Sequence, residues 1–536
     1  MQLSLADTLV FLCYFAGVVT IGLWVAKREK KTAEGYFLAG RSLPWYVIGF
    51  SMIAASISVE QFLGEVGYAY RYGMAVGNWE WGVIPALTIM VCIFVPYYLR
   101  NQIRTIPEML EKRFGGESRT LFAGLSVVVF SLVNLPGVLY GSGLALNAIF
   151  GINIYTGIII LASVASIYVV AGGLAAVAWT DVLQSILLLS SGLLVFILGV
   201  KEVGSWSAIV GTGDRSHLIL PASNPHLPWT GMMVLFLSTN VWYYATNQYI
   251  NQRVLGAKSE WDAKMGMIFT AFLGIPLTLA VCFPGLIAYV LFPNLENPDT
   301  AYTTVVNHLI GPLGYGIRGL VFAGLCGAIM STVESLVNST STIISLDFYK
   351  RLINKSATDR QMVRFGRFAA AIIMVVGVLW TPVVASWGSI FTYCQEFYTF
   401  MAVPTVTVFV SALLWKRANN FSAFMTLLLG IPLFLFPYVL HQVIEPYVEA
   451  HQLNINLNTY NIAGLLFIPV VIFHVAMAYL KPAQSKEHVE RYTWNRKMLR
   501  LPQAETEGVH HRWYHNLILW WAVVTGMFVT IYVVFW

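Results

Sequence analysis

Fourteen apolar stretches, each near the length that crosses a bilayer, take up most of this chain: 5–26, 46–70, 74–99, 121–150, 154–171, 182–200, 230–250, 265–292, 319–348, 368–384, 387–415, 423–440, 460–480 and 516–536. About 20 apolar residues span the hydrocarbon layer as a helix. That pattern excludes an ordinary soluble domain and predicts an all-α integral membrane protein. Composition agrees, because 11% of residues are charged where soluble domains average about 25%, and the mean hydropathy is +0.68.

The loops test this count independently. Lys and Arg accumulate in short cytoplasmic loops, and with the N-terminus outside, 28 of the 32 basic residues fall on the inner side, leaving Arg71, Lys201, Arg215 and Arg318. Both ends are therefore expected outside. The net charge of +6 follows from this asymmetry and requires no nucleic-acid partner. The first stretch precedes its basic cluster and is longer than a signal-peptide core, so it is expected to remain as a helix. Cys13, Cys92, Cys282, Cys326 and Cys394 fall inside predicted spans without CxxC or CxxH spacing, which suggests packing rather than disulfides or zinc. Only His474 among the histidines is expected well inside a span, so no metal cluster is predicted. The polar stretch 481–512 reads as an amphipathic cytoplasmic connector.

Three stretches carry polar side chains where lipid-facing residues would be expected. Residues 54–65 hold hydroxyls, an amide and two carboxylates, residues 238–248 hold Ser238, Thr239, Asn240, Thr246, Asn247 and Gln248, and residues 328–335 hold Ser331, Thr332, Glu334 and Ser335. Such groups are expensive in lipid and mark ion or solute pathways. The first two begin five spans apart, the spacing expected of an inverted five-helix repeat with broken helices and a midplane site, the common build of secondary transporters.

At these residues the chain resembles the sodium/solute symporters that include the sodium/glucose and sodium/galactose cotransporters. The resemblance rests on Ser58-Val59-Glu60-Gln61-Phe62, Trp79-Glu80-Trp81, Thr105-Ile106-Pro107-Glu108, Trp179-Thr180-Asp181, the run from Asn247 to Arg253, and the run from Ser331 to Tyr349. It implies a LeuT-like core within one transporter domain covering 1–536: an extra N-terminal helix at 5–26, a first inverted repeat at 46–200, a second at 230–415, and three peripheral helices in 423–536. A multi-pass protein of a bacterial inner membrane is expected.

By the same resemblance, sodium would be held by the carbonyls of Ala54, Ile57 and Ala328 and the hydroxyls of Ser331 and Thr332. Hard cations take oxygen ligands; the alternative is that both hydroxyls bond back to carbonyls of their own helix. Asp181, Glu334 and Ser335 form a candidate second ion or proton site, although Asp181 would also serve as a helix N-cap and Glu334 as a hydrogen-bonded structural carboxyl. The matching sugar positions are Gln61, Glu80, Asn134, Asn240, Tyr243 and Gln395. Tyr243 would stack as inner gate with its hydroxyl held by Asn240, and Trp79 would be the outer gate; each polar residue could instead make an interhelical bond. Some bacterial members place a basic residue near Gly274, and here there is none, while Glu65 adds an acid. The expected solute is thus a neutral sugar or polyol such as galactose, glucose or an inositol, with an amino acid, a vitamin or sialic acid as alternatives. No nucleophile-base or metal constellation suggests an enzyme, and the confinement of polar residues to two broken helices argues against a channel.

Overall fold

The computed structural model describes the chain apart from residues 1–3, 29–31, 315, 388, 454–457 and 506–511. Eleven of its helices are long and apolar enough to cross a membrane. They are α1 (Leu5–Arg28), α3 (Glu60–Arg100), α4 (Gly116–Asn147), the part Gly173–Val203 of the long helix α5 (Ile154–Val203), α7 (Glu260–Leu291), α8 (Ile317–Ile353), α9 (Asp359–Ala385), α10 (Ile390–Leu414), α11 (Asn420–Ala450), α12 (Thr459–Tyr479) and α13 (Leu517–Val534). The three remaining apolar stretches of the sequence hold α2 (Trp45–Ser56), the first part of α5, and the interrupted segment 229–255 that ends in α6 (Gln248–Leu255).

Two helix starts are fixed by side-chain caps. Thr358 and Gln361 form a reciprocal capping box at α9, and Asn419 with Ser422 does the same at α11, each satisfying amide donors that a helix start leaves free. Within α5 the backbone turns at Gly173, whose φ is +63°. A β-carbon there would also drive into the Tyr36 carbonyl. Gly173→Ala is therefore expected to destabilise the fold by about 1–3 kcal/mol, read as a lower thermal midpoint of the detergent-solubilised protein.

The helix α8 is the most deeply buried of these helices, with nearly all of its apolar window covered by protein, whereas the window of α13 is mostly exposed. Its small residues explain this, since glycine and alanine let helix backbones approach closely. A β-carbon on Gly324 would lie 3.1 Å from the Leu187 carbonyl of α5, and one on Gly327 would lie 2.9 Å from the Tyr14 hydroxyl of α1.

Both polar runs predicted to interrupt their helices do so. α2 stops at Ser56, Ile57 is extended (φ −108°, ψ 122°), and the chain resumes with the π-helical turn Glu60–Glu65. The segment 229–255 breaks at Asn247 (φ −87°, ψ 123°), after the π-helical turns Leu235–Thr239 and Trp242–Thr246. Further π turns lie at Phe130–Asn134 in α4 and Leu440–Ile444 in α11. A π turn inserts one residue into a helix and re-aims the side chains around it, commonly at functional sites.

Four sequence expectations change. Asp181 is not an N-cap, because it lies fully buried in the middle of α5. Arg253 and Arg113, placed in cytoplasmic loops by charge counting, are fully buried. His441 joins His474 inside the helical bundle, because α11 continues to Ala450, beyond the expected end at 440. Cys13 is exposed and Cys92 half-buried, so only Cys282, Cys326 and Cys394 pack in the core.

Candidate functional site

The break after α2 leaves carbonyl groups without helical partners, and α8 crosses them with two hydroxyls. Ser331 Oγ lies 2.7 Å from the Ala54 carbonyl and 2.9 Å from that of Ala328. Thr332 Oγ1 lies 3.2 Å from the Ile57 carbonyl, 3.1 Å from that of Ala328 and 3.5 Å from that of Ala55. All five residues expected at a cation site thus converge, and all are buried. Each hydroxyl reaches both its own helix and the broken one, so back-bonding and bridging coexist in this geometry. Three carbonyls and two hydroxyls make an uncharged, all-oxygen set suited to a hard cation such as sodium, with two rotatable protons that can turn away.

Beside this cluster lies a cavity lined by Gln61, Glu80, Asn134, Asn240, Tyr243 and Gln395. All six residues expected to meet a sugar therefore line one cavity, although they come from four elements, α3, α4, the segment 229–255 and α10. Thr332 lines the same cavity, so the oxygen cluster and the cavity share a side chain. The π turns account for much of this convergence: Gln61, Asn134 and Tyr243 lie in such turns and Asn240 directly follows one.

The polar groups in the wall are partly committed. Gln61 Oε1 accepts from the Ser58 amide at 2.8 Å, Gln395 Nε2 donates to Glu60 at 3.3 Å, and Asn134 Oδ1 has no partner. Asn240 does not hold the Tyr243 hydroxyl as expected. Its amide donates to the Gly82 carbonyl at 3.2 Å, and Tyr243 OH instead donates weakly to the Ser56 carbonyl at 3.5 Å. Tyr243 sits in an aromatic floor with Tyr244, Tyr249 and Tyr398, at ring separations of 5.1, 5.8 and 6.5 Å. Trp79 lines the same cavity and packs against Phe391, Tyr460 and Tyr68, at 5.3, 5.9 and 6.2 Å. Neither set of companions carries a sequence signal of its own, because an aromatic residue in an apolar span reads equally as packing. Glu60, with no expected role beyond its place in the Ser58–Phe62 run, lines the cavity next to Gln61.

Asp181, Glu334 and Ser335 do not form one cluster. Arg253 takes two of them: its guanidinium lies 3.4 Å from Asp181, donates to Ser335 Oγ at 2.7 Å and donates to Ser51 Oγ at 2.7 Å. Glu334 accepts instead from Thr180 Oγ1 and Gln184 Nε2, which flank Asp181 on α5, each at 3.3 Å. Among the described residues no group of three or more His, Cys, Asp or Glu side chains could hold a metal.

Known proteins place this architecture. The chain is 37% identical over 466 residues to a sodium/glucose cotransporter of Vibrio parahaemolyticus, covering 81% of this chain and 85% of that protein. It is 31% identical to the human sodium/myo-inositol cotransporter, covering 93% and 76%. A sodium-coupled sialic acid symporter solved in a substrate-bound outward-open state superposes with a TM-score of 0.75 at 24% identity, covering 90% of this chain and 99% of that one. Mhp1, a nucleobase-cation-symport-1 family transporter, superposes at 0.52 and 18% identity, covering 85% and 97%. These two likenesses carry the LeuT-like fold. The relatives are transporters, so the chain is a multi-pass membrane transporter rather than an enzyme. The model of the sodium:solute symporter family matches residues 36–430, and the chain belongs to that family.

Proposed function

We propose that this chain is a sodium-coupled symporter of a neutral sugar or polyol, galactose, glucose or an inositol, working by alternating access in a bacterial inner membrane. Fourteen transmembrane helices, with inverted five-helix repeats at 46–200 and 230–415, form the frame of this reading. Ala54, Ile57, Ala328, Ser331 and Thr332 would hold sodium; Gln61, Glu80, Asn134, Asn240, Tyr243 and Gln395 would hold the solute; Trp79 and Tyr243 would gate it. The observation that carries the reading is Thr332, which belongs to the oxygen cluster and to the cavity wall at once. A cation that turns the Thr332 hydroxyl and draws the Ile57 carbonyl inward also sets the wall that a solute meets, and such coupling is reciprocal.

One sodium is sufficient for accumulation. A tenfold gradient contributes about 1.4 kcal/mol and 100 mV about 2.3 kcal/mol. Together they support roughly a 400-fold concentration of a neutral solute. A second ion or proton, if one is carried, would belong to Glu334 rather than to Asp181 or Ser335, because Arg253 already occupies those two.

Among the described residues the cavity lining contains no Lys, Arg or His, which disfavours sialic acid and other carboxylates. Proteoliposomes with an inward sodium gradient should accumulate a hexose or inositol and leave sialic acid and amino acids outside; accumulation of an amino acid alone would replace this reading. Tyr243→Ala should raise the solute concentration for half-maximal uptake by about tenfold, near the upper worth of an aromatic contact. Tyr243→Phe should retain most of the affinity.

A further inference from the structure

The cavity holds carboxyl groups without matching basic ones. Glu60 and Glu80 line it, and Glu65 lies on the same π turn as Glu60, fully buried with neither carboxyl oxygen hydrogen-bonded. Among the described residues no basic side chain lines the cavity, and the buried cation Arg253 is committed to Asp181, Ser51 and Ser335. Buried charges are ordinarily paired.

The neutral lining also holds an unmet acceptor. Asn134 Oδ1, in a residue more than nine-tenths buried in the cavity wall, has no hydrogen-bond partner, and neither has the Thr239 hydroxyl, which can donate or accept. One N–H of Asn240 is spent on the Gly82 carbonyl and one of Gln395 on Glu60, while Trp79 Nε1 remains an unpartnered donor in the same wall. Gly274 of α7 lies beside the Glu80 backbone, where a β-carbon would meet nothing nearer than the Glu80 carbonyl oxygen, at 3.9 Å.

We infer that this cavity also takes, and prefers, a polyhydroxylated ring bearing a protonated primary amine, an amino sugar or aminocyclitol, whose ammonium lies between Glu80 and Glu60 near Gly274. An ammonium supplies three donors and one positive charge and accepts nothing, which matches the unmet demand of the wall. A hydroxyl at the same place supplies one donor and no charge. This inference rests on the proposed sugar-or-polyol site and refines its substrate class.

The test uses the full chain in proteoliposomes with an inward sodium gradient, at a pH where the amine is protonated, and measures the competitor concentration that halves uptake of labelled hexose or inositol. 2-Amino-2-deoxyglucose is compared with glucose, an inosamine with inositol, and the N-acetyl derivative of each amine serves as the neutral control. The amine should compete at about tenfold lower concentration than its hydroxyl parent, about 1.4 kcal/mol, and N-acetylation should remove the gain. Gly274→Lys should abolish the preference by placing a cation beside Glu80, and Glu65→Gln, nearly the same shape, should reduce it. If the amine competes no better than its parent while labelled solute still accumulates on sodium, protons neutralise these carboxylates and the inference fails while the sugar reading stands. If no hexose or inositol accumulates on sodium, the sugar reading fails and this inference falls with it.

Discussion

Ser331→Ala should abolish sodium-driven accumulation while leaving the protein folded. The Ser331 hydroxyl is the shortest bridge between α8 and the broken end of α2, at 2.7 Å from the Ala54 carbonyl, and it is fully buried. Removing it deletes one of five oxygens and leaves the Ala54 carbonyl facing a methyl group. Altering a residue that merely orients a metal ligand typically costs about 10- to 100-fold in affinity, so loss of a ligand should exceed the upper figure. Thr332→Ala should do the same and also disturb the cavity wall, whereas Thr332→Ser, which keeps the hydroxyl, should retain most transport. Initial uptake rates measured against sodium concentration decide the matter, with size-exclusion profiles confirming folded protein. A Ser331→Ala transporter with the wild-type sodium dependence would remove the proposed cation site.

The second large effect concerns stability. Arg253→Met should leave Asp181 as an uncompensated carboxylate at full burial, with Ser51 and Ser335 deprived of their shared donor. Breaking a buried ion pair from one side costs about 3–5 kcal/mol, enough to reduce the yield of monodisperse protein sharply. Adding Asp181→Asn to Arg253→Met should recover part of that loss, because the burden is the orphaned charge rather than the missing contact. A single variant as thermally stable as wild type would show that the pair contributes nothing.

The apolar helices were legible because lipid enforces a crude rule over long windows. An apolar run of bilayer length announces a span, and the two discontinuities announced themselves through hydroxyls and amides at 54–65 and 238–248. The oxygen cluster was reached through the family resemblance: the residues alone left Ser331 and Thr332 free to bond back to their own helix, and only the matching pattern named Ala54, Ile57 and Ala328 as partners. Pairings between distant segments were not legible. Arg253 reads as one more cytoplasmic base until the fold sets it against Asp181, 72 residues away. Asn240 and Tyr243 are three apart, a spacing that brings side chains together on a regular helix, yet the π turn Trp242–Thr246 sends them to different carbonyls. Periodicity at 3.6 residues has no means of registering such a turn. His441 was placed past a span end for a related reason: α11 continues through the π turn Leu440–Ile444, which simple hydropathy cuts short at 440.

Those widened turns carry an implication for engineering. Each stores a single surplus residue, so excising one residue from Phe130–Asn134 would return that helix to ordinary winding instead of destroying it. The helix beyond the excision would keep nearly its present orientation, because four residues of α-helix sweep about the same angle as the five of the widened turn, and only side chains within the turn, Asn134 among them, would be re-aimed away from the proposed solute site. A one-codon deletion at such a place would blind the transporter to its cargo more selectively than most amino-acid exchanges.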